Sequence, residues 1–173
     1  NSGGTPLYVT NTGSSMATAV TSGGALIVRE YLREELGIVT PDASLIKAML
    51  INGATDLGQT DIPNFVEGWG ELNVKQAIDP HEGTTELELL MDTGRGLAPG
   101  DALVQLIDVG ASKLDITLAW TDPEGSVSAT SSAPRLVNNL DLVVTSPSGV
   151  VYSGNSFNQG YSIASTTPDS LNN

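Results

Sequence analysis

Hydrophobic spacing changes once along this chain, and that change limits it to a helical part followed by a strand-rich part. Up to Ile78 the apolar residues recur at helical intervals. After the turn-forming run Asp79-Pro80-His81-Glu82-Gly83 they alternate with polar ones. A period near 3.6 buries a stripe of a helix, whereas a period of two buries one face of a strand, so one pattern cannot serve both. The break sets two expected units, residues 1–80 and 84–173.

In the first unit, Met16 to Leu36 reads as a helix. Its first half carries no charge, and its second half holds Arg29, Glu30, Arg33, Glu34 and Glu35. This is the pattern of a helix that enters a core and emerges at the surface. Gly37 is a suitable stop. Thr40 before Pro41 announces a second helix, with the proline at its first position. Leu45, Ile46, Met49 and Leu50 give it one apolar face, until Asn52-Gly53 ends it. Asn73 with Gln76 three residues on starts a short third helix through Ile78.

In the second unit the expected strands are 86–91, 102–108, 113–120, 139–145 and 150–152. Leu114, Ile116, Leu118 and Trp120 alternate with Asp115, Thr117 and Ala119, which gives a sheet one buried face. Pro147-Ser148-Gly149 supplies a hairpin turn between the last two strands.

Charge narrows the partners. Twenty acidic residues against seven basic ones leave a net charge of −13 over 173 residues. Such a surface repels phosphate backbones and anionic lipids, so neither nucleic acid nor membrane is an expected partner. No apolar run approaches the roughly 20 residues that span a bilayer. Cysteine is absent, which removes disulfides, zinc-thiolate sites and thiol nucleophiles together.

The chemistry-bearing stretch is Asn11-Thr12-Gly13-Ser14-Ser15-Met16-Ala17-Thr18. Gly13 permits a tight turn, and serine follows immediately before a helix of small residues. A hydroxyl there sees unpaired backbone N–H groups and the positive end of the helix dipole, as an acyl-transfer nucleophile requires. By composition alone the reading that wins is a serine that only caps a helix.

The run Gly13-Ser14-Ser15-Met16-Ala17-Thr18 resembles the Gly-Thr-Ser-Met-Ala signature of the subtilisin-like serine peptidases. Ser14 stands where that family has Thr, and Ala19 where it has Pro. Gly23 falls on a family glycine. Glu67-Gly68-Trp69-Gly70-Glu71-Leu72-Asn73 is similar to the family's glycine-rich closing segment. The resemblance implies an α/β subtilisin-like fold, of which residues 1–80 form the C-terminal, mostly helical segment. It also implies a secreted serine endopeptidase acting on polypeptide through an acyl-enzyme on Ser15, whose own N–H helps hold the oxyanion. The family order of Asp, then His, then Ser puts both partners, and the oxyanion-hole Asn, in an upstream remainder of the catalytic domain. The expectation is that this segment alone is inert, with His81, the one histidine, a solvent-facing turn residue.

A second resemblance starts at Leu136-Val137-Asn138-Asn139-Leu140-Asp141-Leu142, with Trp120-Thr121-Asp122 before it and Pro147-Ser148-Gly149 after it. It is similar to the all-β jelly-roll sandwich that follows the catalytic domain in large alkaline subtilases of bacilli. A jelly roll has about eight strands and five are expected here, so it is expected to be incomplete. Asp122, Asn139 and Asp141 are candidate ligands for a structural calcium ion; the alternative is that they cap turns and hold loop amides. A different functional class also stands: a non-catalytic remnant whose calcium-stabilised β-sandwich is an interaction module. A carbohydrate-binding jelly roll is less favoured, because Tyr152, Phe157 and Tyr161 are the only aromatic residues after Trp120.

Overall fold

A computed structural model describes residues 10–58, 62–80, 89–94, 96–110, 113–127 and 136–170. The expectations at His81, at 86–88 and at 171–173 lie outside the described residues.

Three helices make the core. Helix α1 runs Ser14–Glu34, α2 Ala43–Asn52 and α3 Val74–Ile78, and each packs on the other two. Helix α1 buries Gly24, Val28 and Leu32, four residues apart and therefore on one face. Helix α2 adds Leu45 and Met49, and α3 adds Ala77. Tyr31, Ile38, Ile46, Leu50, Val74 and Ile78 pack around them half-buried. Past Glu34 the chain turns at Gly37, and the Ile38 N–H reaches back to the Leu32 carbonyl at 2.8 Å.

Two helix expectations need correction. The uncharged first half of α1 is exposed, with Val20 at 65% of its full exposure, and the buried stripe lies in the charged half. A stripe needs only every fourth residue, so Arg29, Glu30, Arg33 and Glu34 occupy the other faces. Helix α2 starts two residues later than Pro41 suggests. Asp42 is its N-cap, in an extended conformation, and the Asp42 carboxylate accepts from Thr93 Oγ1 at 3.4 Å rather than capping the helix. The third helix is as expected: Gln76 N–H donates to Asn73 Oδ1 at 3.0 Å.

The strand-rich part holds two small antiparallel sheets among the described residues. Strand β1, Val143–Thr145, pairs with β2, Val151–Ser153, in the register Val144 opposite Tyr152. Pro147-Ser148-Gly149 makes the expected turn, closed by Gly149 N–H to Ser146 O at 2.9 Å. Strand β3, Phe157–Asn158, pairs with β4, Tyr161–Ser162. The expected strands at 102–108 and 113–120 pair with nothing described, and 139–145 shrinks to 143–145. Alternation specifies a face but no partner: Leu106 is 96% exposed, and Leu114, Ile116 and Leu118 are exposed as well. Of 86–91, Leu89 and Met91 pack against the helical core instead of forming a strand.

Gly53 sets the approach of α2 to α3. A Cβ there would lie 2.4 Å from Ala77 N and 2.5 Å from its Cα, so a side chain cannot enter without moving α3. Gly53 has φ −88°, which any residue adopts, so only the contact forbids a methyl. Gly53→Ala is expected to destabilise the fold by about 1–3 kcal/mol, the usual cost of overpacking, read as a lower denaturation midpoint. An unchanged midpoint would show that α2 and α3 are not held in contact.

Candidate nucleophile site

Ser15 is the second residue of α1, and its side chain is exposed. The turn into the helix depends on Gly13, which has φ 151° and ψ 166°, a region that residues with a Cβ rarely enter. The Gly13 carbonyl then accepts from Met16 N–H at 3.1 Å and Ala17 N–H at 3.2 Å, closing the first turn.

No side chain caps this helix start. Among the described residues the N–H groups of Ser14 and Ser15 have no acceptor. Two unpaired amides at the positive end of a helix of 21 residues favour a negatively charged oxygen placed beside them. Of the nearby hydroxyls on α1, those of Thr18 and Ser22 are engaged, whereas that of Ser14 has no partner among the described residues. Thr18 Oγ1 donates to Ser14 O and Ser22 Oγ to Thr18 O, each at 2.8 Å. The Ser15 hydroxyl has no partner among the described residues, and no described carboxylate or imidazole bonds to it. It is a presented alcohol beside an anion-favouring helix end, with no base bonded to it among the described residues.

Each of the three candidate calcium ligands takes part in a hydrogen bond. Asp122 Oδ2 accepts from Val137 N–H at 2.6 Å, and its Oδ1 accepts from the backbone N–H and side-chain Nδ2 of Asn138, both at 2.9 Å. Asn139 Nδ2 donates to Asp141 Oδ1 at 3.3 Å. Among the described residues no three His, Cys, Asp or Glu side chains are grouped to hold a metal. The donors present fit a loop latch, in which Asp122 ties 136–138 to the end of the 113–122 segment. Desolvation works to raise the Asp122 pKa, and the hydrogen bonds from Val137 and Asn138 together outweigh it, leaving the carboxyl below its ordinary value.

Sequence reasoning placed a loop between α2 and α3 but missed the contacts that brace it. Thr55 and Glu71 exchange backbone hydrogen bonds at 2.9 and 2.8 Å. The Glu67 carboxylate accepts from Leu57 N–H at 2.9 Å and from Asn64 Nδ2 at 3.0 Å. Trp69 meets the ring of Phe157 edge-on, with centroids 6.2 Å apart. Gly68-Trp69-Gly70 marks one side of that contact in the sequence, but no spacing rule points to Phe157.

Residues 3–70 match the Subtilase family. The chain is also similar to two proteins of Dictyostelium discoideum. One is the serine protease/ABC transporter B family protein tagA, 30% identical over 181 residues and 93% of this chain. The other is the serine protease/ABC transporter B family protein tagD, 27% identical over 229 residues and 98% of this chain. The chain spans 10% of the length of the first and 12% of the second. No solved structure matches it significantly.

The latch predicts a pH dependence with a definite sign. A lowered carboxyl pKa stabilises the fold above the ordinary carboxylate range, and that contribution is lost as pH falls through the lower folded-state value. The amide shifts of Val137 and Asn138 are expected to titrate together below the ordinary range and to stay constant on adding millimolar calcium. A calcium-dependent shift of either amide would instead make Asp122 a ligand.

Proposed function

We infer that this chain carries the nucleophile-bearing part of a subtilisin-like serine endopeptidase, a reading that the Subtilase match and the serine protease names of its relatives support. The observation that carries it is Ser15, exposed in the first turn of α1 behind Gly13, with unpaired amides beside it. Ser15 Oγ attacks the scissile carbonyl carbon of a polypeptide substrate while a histidine takes the hydroxyl proton. The carbonyl oxygen becomes an oxyanion and is held by the Ser15 N–H together with a donor from elsewhere in the protein. Collapse breaks the peptide bond, the histidine returns its proton to the leaving amine, and water then hydrolyses the ester on Ser15.

The base is not His81, the one histidine in this sequence, which follows the nucleophile instead of preceding it. In this reading the histidine, its orienting aspartate and the oxyanion-hole asparagine precede Ser15 in the polypeptide, and residues 1–80 complete the catalytic domain they belong to. Residues 84–173 are a β-rich unit of jelly-roll type, supported by the Leu114-Ile116-Leu118 alternation and the β1–β2 hairpin. The enzyme is secreted, which its acidic surface suits. A structural calcium ion at Asp122, Asn139 and Asp141 is a separate proposal, tested by the calcium response of the Val137 and Asn138 amides, and takes no part in these steps.

A fluorophosphonate probe is expected to label Ser15 in the full-length protein. Ser15→Ala is expected to abolish labelling and lower kcat on the order of a millionfold. Ser14→Ala, one residue away at the same helix end, is expected to retain labelling. Full activity in Ser15→Ala would show that Ser15 is not the nucleophile, and neither labelling nor activity in the unaltered full-length protein would leave the non-catalytic reading in its place.

A further inference from the structure

The two halves, separated in sequence by their change of periodicity, touch at several places. Leu89 and Met91 pack on the helical core. Thr93 Oγ1 donates to Asp42, and Asn52 Nδ2 donates to Thr117 Oγ1 at 3.1 Å. The ring of Phe157, on β3, lies at 85° to that of Trp69, the arrangement in which a ring edge meets a ring face. Both residues are half-buried. Beside them Gly160 comes so near Asp56 that a Cβ on it would lie 3.3 Å from the Asp56 Oδ2. Trp69 and Asp56 belong to the loop between α2 and α3, so one small hairpin meets that loop twice.

The loop itself is cross-braced. Besides the Thr55–Glu71 pair, Asn64 N–H and Gly68 N–H each bond to the other's carbonyl, at 3.0 and 2.9 Å. Asn64 Oδ1 accepts from Val66 N–H at 2.8 Å and Glu67 N–H at 2.9 Å. Gly70 presses on Thr55, where a Cβ would fall 2.5 Å from the Thr55 carbonyl oxygen. Just past Trp69, the Leu72 and Val74 side chains sit against Gly24 of α1, each 3.0 Å from where a Cβ would be. The segment that follows Trp69 thus packs on the helix that presents Ser15.

We propose that the β3–β4 hairpin is an intramolecular clamp: Phe157 and Gly160 seat the Trp69–Asp56 loop, and Thr117 holds the end of α2, fixing the helical half from outside. The surface involved is formed by Asp56 and Trp69, and its partner is residues 157–162 of the same chain. The clamp is independent of the peptidase reading, because it involves neither Ser15 nor any catalytic partner.

Hydrogen exchange in the full chain tests it, since local opening is read amide by amide. Phe157→Ala is expected to speed exchange at Gly68, Gly70 and Glu71 about two- to tenfold, the range expected from one edge-to-face pair. The β1–β2 amides at Val144 and Tyr152 should keep their protection. In a cycle with Trp69→Ala the two effects should be less than additive. Thr117→Val keeps the side-chain shape and removes only the acceptor of Asn52. It is expected to speed exchange at Gly53 and Ala54, and it decides the matter should Phe157→Ala unfold the chain. Unchanged loop exchange in Phe157→Ala, strict additivity with Trp69→Ala, or unchanged α2-end exchange in Thr117→Val where only that variant folds would overturn the clamp.

Discussion

The burial of Gly24, Val28 and Leu32 against α2 and α3 is the contact on which the other features depend. It is a narrow seam, with Val28 and Leu32 the largest side chains fully out of water. Burying an aliphatic side chain of that size contributes about 1.5–3 kcal/mol, so this stripe anchors α1 chiefly through its last three turns. The helix then rises about 1.5 Å per residue, which puts Ser15 roughly 14 Å beyond the first buried residue. Anchored at one end, the helix holds its other end out as a rigid arm. The small residues that precede Gly24 matter less for packing than for leaving that end uncluttered.

Glycine makes two of the decisive placements. Gly13 lets the chain turn into α1 without a side-chain cap, so the amides that a capping oxygen would occupy stay open. Gly53 lets α2 end against the backbone of α3, which tightens the floor on which α1 rests. The first choice serves chemistry and the second serves packing. Around them, hydrogen-bonded side chains do the remaining local work: Asn73 starts α3, Glu67 and Asn64 brace the loop, and Asp122 ties down 136–138.

Local signals were legible where the physics is local. The Asn73–Gln76 spacing marked α3, Pro147-Ser148-Gly149 marked the hairpin, and Gly13 before serines marked the start of α1, because each is settled within a few residues. Strand pairing is not local. The alternation of Leu114, Ile116 and Leu118 announced a face to be covered, yet the covering layer is not among the described residues, and the segment stays unpaired. Charge also misled. The charged half of α1 was read as its surface half, although a stripe at every fourth position leaves ample room for Arg29, Glu30, Arg33 and Glu34. For the candidate site, residue 15 was identifiable from its motif and its placement is as expected. Asp122 illustrates the opposite case: an acidic residue near a strand end has two uses, and the sequence gives no sign of the Val137 and Asn138 amides that its carboxylate accepts from.

The central claim is that α1 is held at one end and exposed at the other, where it presents residue 15 to solvent. The sequence contains no cysteine, so single thiols can be placed without background. Ser15→Cys and Val28→Cys, treated with a maleimide under native conditions, measure the two ends of the helix directly. The account predicts that the thiol at residue 15 reacts nearly as fast as in an unfolded peptide, whereas that at residue 28 reacts only on opening of the core. Similar protection at both positions, or faster reaction at 28, would contradict it.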